Sequence, residues 1–222
     1  METMEEKKQG ILVVLGTAHL RTTLGKCSPD GRFHEYEYSR ERVQGVKAKL
    51  EALGYNVAID YEDAEPLAAW TAARKKHGYK AEQTAELKYR VRAVNAFCQH
   101  FKHVLYVSMH TDAAGADGQW HDARGFSARV STQASKKSKD CAQIFTKRAA
   151  LYGMLGNRAT PKQGYYPQSL YVLNNTICPA VLTETGFQDN KDDVEWLLSD
   201  EGKHMVERLH VESIVEYLES FK

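Results

Sequence analysis

Four short apolar runs alternate with longer stretches of helical periodicity along this chain, and the alternation limits the folds that are open to it. The runs occupy residues 11–15, 55–59, 104–108 and 180–182. Continuous apolar segments of this length are typical of strands that are buried on both faces, as in parallel sheets. We therefore predict an α/β fold with a single domain over residues 1–222, in which a mostly parallel, twisted sheet is flanked by helices.

Helical patterns fill the intervals between these strands. In the first pattern, apolar residues recur at steps of three and four, and they are Val43, Val46, Leu50 and Leu53. Gly54 follows this stripe and predicts the end of the helix. The same periodicity predicts three further helices, near residues 82–103, 134–152 and 203–221. One more strand is predicted at residues 126–130.

Charge is nearly balanced over the chain, with 30 Lys and Arg residues against 29 Asp and Glu residues. This balance argues against a nucleic acid or another polyanion as the partner. Residues 124–162 are the exception, because they contain many basic residues and the single acid Asp140. Such a segment is either a solvated helix face or a surface that attracts the carboxylates of a substrate, and the sequence leaves both interpretations open.

The cysteines and the chain start give information about the cellular setting. Cys27, Cys98, Cys141 and Cys178 have no paired CxxC spacing, so we predict buried free thiols, not a disulfide framework or a metal knuckle. The first ten residues are charged and mixed in sign, and the apolar run after them is too short for a signal sequence. No secretion signal or membrane span is therefore expected.

Three of the predicted strands end close to a potential metal ligand or acid, namely His19, His110 and Glu184. The carboxyl ends of parallel strands meet at one edge of a sheet, where ligands commonly bind, so we expect these side chains to converge. A catalytic zinc commonly takes three protein ligands and leaves a fourth position for water, so a further ligand should be sought. For Glu184 the alternative is a cap for a helix that begins near Asp189 and Asn190.

The helix after His19 offers one inward-facing carboxylate. At about 100° per residue, Glu35 lies about 20° from Val46 on the apolar stripe, if the helix extends back that far. Glu37 would lie about 180° from Val46, and Glu41 about 140° from it. A buried carboxylate is costly unless it is paired or bound to a metal. Glu35 is therefore either a functional group inside the fold or a solvent-facing residue of the loop before the helix.

These residues resemble the zinc-dependent N-acetylmuramoyl-L-alanine amidases of the type 3 amidase group, which cleave bacterial peptidoglycan. The clearest matches are Ser108-Met-His110-Thr-Asp-Ala113 and Pro179-Ala-Val-Leu-Thr-Glu184-Thr-Gly-Phe-Gln-Asp-Asn190. The first predicted helix, together with Arg90 and Asn95, extends the resemblance over most of the chain.

One stretch departs from the family pattern. The family surrounds its first histidine with Asp-Pro-Gly-His-Gly, whereas this chain has Gly16-Thr-Ala-His19-Leu20. Residues 25–36 look like those of a variant branch of the family, with its own approach to the second ligand.

The resemblance implies that His19, Glu35 and His110 bind zinc (Zn²⁺) and that Glu184 is the catalytic acid/base. Glu184 would take a proton from a zinc-activated water and later donate one to the leaving amine. The bond broken would be the amide between N-acetylmuramic acid and L-alanine, so peptidoglycan or muropeptides are the expected partners. The site of action would be the cell wall, reached through the periplasm or by release during phage lysis.

Two other interpretations compete with a zinc amidase. Two histidines and a carboxylate also hold iron, and His110-Thr-Asp112 has the HxD spacing of iron oxygenases, with His204 or His210 downstream. Those enzymes typically have a double-sheet β fold, which the alternation of strands and long helices argues against. The second alternative is a non-catalytic peptidoglycan-binding module, which would have little need for an unliganded acid such as Glu184.

Overall fold

The computed structural model describes residues 10–220. The expectations for the charged chain start and for a last helix that reaches Phe221 fall partly outside the described residues. Within residues 10–220 no helix is both long and apolar enough to cross a membrane.

One six-stranded sheet forms the centre of the fold. Its strands are β1 (Ile11–Thr17), β2 (Asn56–Ile59), β3 (His103–Asp112), β4 (Phe126–Val130), β5 (Tyr166–Pro167) and β6 (Ala180–Phe187). The strand order is β2-β1-β3-β6-β4-β5, and every neighbouring pair is parallel except β4 and β6. The predicted α/β fold with a mostly parallel sheet is confirmed.

The helices in chain order are α1 (Glu35–Ala52), α2 (Ala68–His77), α3 (Tyr79–Phe97), α4 (Lys136–Leu151), α5 (Tyr171–Asn175), α6 (Lys191–Leu198) and α7 (Asp200–Glu219). Apolar side chains of α1, α4 and α7 pack on one face of the sheet. Those of α3 and α5 pack on the other face. Successive strand residues point to opposite faces, so the alternate residues of β3 enter two different cores.

The predicted boundaries are wrong at three places. β3 continues through His110 to Asp112 and β6 through Glu184 to Phe187, so these two side chains lie within strands and not beyond their ends. His110 and Glu184 are cross-strand partners, so both of these polar residues are part of the sheet. Helix α3 ends at Phe97, since His103 already pairs with β1.

Two predictions about burial also fail. Leu53 is the C-cap of α1 and is 47% exposed, so the apolar stripe ends one turn earlier, at Leu50. All four cysteines are free, as predicted, but Cys141 is the only one that is fully buried.

Candidate active site

His19 lies two residues after the end of β1 and has a left-handed backbone, with φ of 49°. Two guanidinium groups hold its carbonyl oxygen: Arg40 Nη2 donates to it at 2.9 Å and Arg90 Nη2 at 3.3 Å. A φ in this region is costly for a residue other than glycine, so it persists where surrounding contacts fix it. The two arginine contacts fix the backbone of His19 and thereby set the direction in which its imidazole points.

Arg40 is bound entirely to backbone carbonyl groups. All of its donor nitrogens are used, and the acceptors are the carbonyl oxygens of Ala18, His19, Tyr36, Glu62 and Asp63. Burial without a carboxylate at hydrogen-bonding distance lowers the pKa of Arg40 to about 10. This one side chain therefore ties the start of α1 to the loops that follow β1 and β2.

Glu35 is the first residue of α1, and its side chain is about 1% exposed. Its Oε1 accepts a hydrogen bond from the backbone N–H of Thr111 at 3.1 Å and lies 3.0 Å from His110 Nδ1. Its Oε2 lies 3.3 Å from His19 Nε2 but makes no hydrogen bond. Glu37 and Glu41 are exposed, so the inward orientation predicted for Glu35 alone is confirmed.

His110 completes a compact group of potential metal ligands. Its ring is edge-on to that of His19, with the ring centroids 5.1 Å apart. One ligand atom from each of His19, Glu35 and His110 lies within 4.8 Å of the others, and this is the one such group found among residues 10–220. The convergence expected from the strand ends is therefore present, and it includes Glu35.

The donor set fits a zinc ion. Burying a carboxylate oxygen without a hydrogen bond is costly, and Glu35 Oε2 is such an atom, with only longer contacts to His19 Nε2 at 3.3 Å and Lys26 Nζ at 3.9 Å. Burial lowers the pKa of His110 to about 4, which keeps the imidazole neutral, as a metal ligand must be. Burial alone would raise the pKa of Glu35, but His19 and His110 hold it well below its usual value. Two imidazoles and one carboxylate are a donor set that catalytic zinc takes in proteins.

Glu184 lies beside this group on β6, directly opposite His110 on β3. Burial raises its pKa to about 8, although Arg129, with Nε 3.5 Å from Glu184 Oε1, acts in the opposite direction. Its Oε2 is buried and has no hydrogen-bond partner. The helix-cap interpretation is wrong, because Asn190 caps α6 by accepting a hydrogen bond from the N–H of Asp193 at 3.0 Å.

Sequence reasoning missed two arginines of this site. Arg129 and Arg158 both donate to Asp112 Oδ2. Both belong to the basic segment 124–162, but nothing in the local sequence distinguishes them from its other members. Their acidic partner is on β3, so their position depends on the tertiary fold.

The rest of the basic segment does not form one surface. Arg148 pairs with two carboxylates on α7, at Glu212 and Glu216. Lys136 pairs with Asp140 on its own helix. Neither predicted interpretation describes the whole segment, since some members hold helices together and others reach the site.

The iron-binding alternative does not match the geometry. Asp112 is occupied by Arg129 and Arg158. His210 is fully buried, where Nδ1 lies 2.7 Å from the carbonyl oxygen of Val206 and Nε2 lies 2.9 Å from Thr183 Oγ1. His204 is exposed on α7.

Comparisons with known proteins find sequence similarity to one family. The sequence model of the N-acetylmuramoyl-L-alanine amidase family matches residues 13–216. An endolysin of Bacillus phage SPP1 is 33% identical over 133 residues, which is 60% of this chain and 45% of the endolysin. An uncharacterised cell wall amidase of Bacillus anthracis is 30% identical over 123 residues, which is 55% of this chain and 23% of that protein. The chain thus matches less than half of the length of either relative.

The fold also has close structural counterparts. The CwlD amidase of Clostridioides difficile, solved in complex with the GerS lipoprotein, superposes with a TM-score of 0.78. The match covers 94% of this chain and 98% of CwlD at 18% sequence identity, so it shows the shared fold.

Proposed function

Because this chain belongs to the N-acetylmuramoyl-L-alanine amidase family, we propose that it is a zinc-dependent peptidoglycan hydrolase. It would cleave the amide between N-acetylmuramic acid and the L-alanine of the stem peptide, in peptidoglycan or in soluble muropeptides. The observation that carries this proposal is the group of His19, Glu35 and His110 with Glu184 on the adjoining strand. That arrangement supplies three metal ligands and a separate carboxylate for proton transfer.

His19, Glu35 and His110 would hold the zinc ion. Ser108 Oγ lies 3.1 Å from His110 Nε2, on the far side of the imidazole from Glu35. When Nε2 carries the proton and donates it to this hydroxyl, Nδ1 keeps its lone pair for the metal, and the ring is held in place. A bound zinc ion supplies Lewis-acid activation of the scissile carbonyl and of a water molecule.

Glu184 would act as the general base and then as the general acid. Its carboxylate takes a proton from the attacking water, and the resulting carboxylic acid donates a proton to the leaving nitrogen of L-alanine. A raised pKa suits this role, because the group must both accept and release a proton near neutral pH. Arg129, as the nearest cation, keeps the carboxylate form accessible despite burial.

A cavity of about 220 Å³ adjoins the proposed zinc site. His19 and His110 are among its lining residues, and so are the apolar side chains of Leu87, Leu170 and Leu182. A concave, mostly apolar space beside polar catalytic groups is the usual form of a ligand site. This cavity supports the view that the site receives a substrate.

The proposal is tested by measuring zinc content together with stem-peptide release for the parent protein and two variants. We expect Glu184→Ala to keep one zinc per chain and to lose release by at least about a hundredfold. His110→Ala should lose both the metal and the activity. Stem-peptide release that persists in Glu184→Ala would rule out the proposed role of this carboxylate.

The same experiment separates the amidase from a non-catalytic binding module. Retained muropeptide binding without release in the zinc-loaded parent would favour the binding module. As a cell-wall hydrolase the protein would act in the periplasm or after release during phage lysis, and fractionation of the activity from producing cells tests this location.

A further inference from the structure

Arg129 and Arg158 meet at one carboxylate close to the proposed acid/base. Arg129 Nη2 donates to Asp112 Oδ2 at 2.5 Å, and Arg158 Nη1 donates to the same oxygen. Arg129 Nε also lies 3.5 Å from Glu184 Oε1. Two positively charged guanidinium groups therefore lie beside the reacting centre. The single negative charge of Asp112 does not balance both of them.

Arg158 lies over the ends of the two strands that carry His110 and Glu184. Asp112 and Phe187 are the next cross-strand partners beyond that pair, and the Arg158 guanidinium lies 5.0 Å from the centroid of the Phe187 ring. Since a strand advances about 3.3 Å per residue, Asp112 is roughly 7 Å further along β3 than His110. That separation corresponds to about two residues of an extended peptide.

Neighbouring contacts hold the backbone and side chain of Arg158 in place. The side chain of the preceding residue, Asn157, accepts from the N–H of Arg124 at 3.0 Å and donates to the carbonyl of Asp122 at 2.7 Å. The guanidinium also lies 5.4 Å from the centroid of the Tyr166 ring. A guanidinium held between aromatic rings and a carboxylate loses little entropy when it binds a further anion.

Arg158 has donors left for a ligand. Within residues 10–220, its guanidinium uses only Nη1 for a hydrogen bond, and its side chain is 30% exposed. Planar guanidinium groups bind carboxylates through two parallel hydrogen bonds, so a substrate carboxylate matches both the charge and the geometry.

We propose that Arg158 binds a carboxylate on the second residue of the stem peptide, and that it selects stems in which this carboxylate is free. This inference rests on the proposed amidase function. Arg158 is thus a specificity residue on the leaving-amine side of the scissile bond. Asp112 is a positioning residue, because it orients the guanidinium without contacting the substrate.

The test uses two synthetic muropeptides that differ only at the second stem residue, which carries either a free carboxylate or its carboxamide. The ratio of kcat/KM for the two substrates is measured in the zinc-loaded parent, Arg158→Gln, Arg158→Lys and the control Arg148→Gln. Arg148 is a matched control because its guanidinium also pairs with carboxylates, on α7 and away from the site. We expect the parent to prefer the carboxylate substrate, and Arg158→Gln to reduce that preference about tenfold.

Arg158→Lys should retain part of the preference, because it keeps the charge but not the planar fork. The control should leave the ratio unchanged. An unchanged ratio in Arg158→Gln, or equal losses on both substrates, would overturn the proposal.

A second measurement keeps the inference independent of turnover. The affinity of the parent and of Arg158→Gln for the two free stem peptides is compared by calorimetry. If the parent cleaves neither muropeptide, the amidase function fails, yet the loss of carboxylate-dependent affinity in Arg158→Gln still supports the binding role. Equal affinities of the parent for both peptides would refute it.

Discussion

At the scale of single residues, the altered surroundings of His19 are explained by Arg40. The type 3 amidase pattern places glycines on both sides of this histidine, whereas here Ala18 and Leu20 flank it in a left-handed turn. Arg40 binds the carbonyl oxygens of Ala18 and His19 and so holds the turn that glycine would otherwise permit. The Arg40 side chain, which is distant in sequence, thus stabilises the left-handed conformation that a glycine would adopt without such contacts.

Replacing Arg40 with lysine is expected to weaken zinc binding. Lysine keeps the charge, but its three donors are on one nitrogen. It therefore cannot bind at the same time all the backbone carbonyl oxygens that Arg40 binds. Loss of a group that orients a metal ligand typically lowers metal affinity by about 10-fold to 100-fold. Competition with a chromogenic chelator measures this affinity, and Arg148→Lys serves as the control. Arg40→Lys protein with parental zinc affinity would show that His19 does not depend on this residue.

The positive charge of Arg129 should determine the pH at which the acidic limb of the kcat/KM profile lies. Burial raises the pKa of Glu184 to about 8, and the Arg129 guanidinium opposes this rise by favouring the carboxylate. Arg129→Gln removes the opposing charge, so the pKa of Glu184 should rise further. The base form would then be reached only at higher pH, and the acidic limb of kcat/KM should move upward.

The pH profiles of kcat/KM for the parent, Arg129→Gln and Arg129→Lys check this effect. Arg129→Lys keeps the positive charge and should leave the limb close to its parental position. A limb in Arg129→Gln that stays in place or moves to lower pH is incompatible with Glu184 as the base.

At the scale of elements, the strands were predicted well and the site residues only in part. Apolar runs identified β1, β3 and β6 because buried strands carry that signal in their own sequence. The rotation argument placed Glu35 inside because a helix fixes angles between its residues. The sequence did not reveal Arg129 and Arg158 as site residues, since their partner Asp112 lies on another strand. Such contacts are set by sheet order, which no local pattern encodes.

The loop that carries Arg158 depends on a close backbone crossing. Gly156 has φ of 67°, and a Cβ atom there would meet the carbonyl oxygen of Arg124 at 2.2 Å. Gly153 has a similar φ of 69° with nothing within 4 Å of the same position. Both substitutions to alanine strain the backbone, but only Gly156→Ala adds a clash.

Gly156→Ala should therefore destabilise the protein more than Gly153→Ala does. Backbone strain of this kind costs about 1–3 kcal/mol, and the clash adds to it. For a chain of this size each kcal/mol lowers Tm by about 2–4 °C, which calorimetry resolves. Equal Tm values for the two variants would mean that the loop moves aside without cost.

At the scale of the whole molecule, a network of buried charged side chains connects the sheet to helix α3. Arg90 on α3 binds Asp60 at 2.7 Å and Glu86 at 2.9 Å, and it is about 3% exposed. Tyr106 on β3 donates to the other oxygen of Asp60 at 2.9 Å. Breaking a buried pair of this kind leaves an uncompensated charge, so each partner requires the others. Arg90 also donates to Thr17 Oγ1 on β1 at 2.9 Å, so the network links β1, β3, α3 and the residue that follows β2.

Metal removal should lower the stability of the whole fold. A ligand that binds only the folded state stabilises it in proportion to the logarithm of its concentration over Kd. We expect a strong chelator to lower the Tm of the parent by several degrees and to leave His110→Ala unchanged. Thermal unfolding with and without chelator measures the difference. The same shift in both proteins would mean that zinc binds elsewhere.

The wide spacing of the three proposed metal ligands along the chain has a consequence for biosynthesis. Arg40 joins the carbonyl oxygen of His19 to that of Asp63, and Glu35 accepts a hydrogen bond from the N–H of Thr111. A nascent chain therefore cannot assemble the site until about half of it has left the ribosome. If the proposed zinc site is correct, the metal would bind only after β3 has been made, so it would not guide the early folding of the first helix.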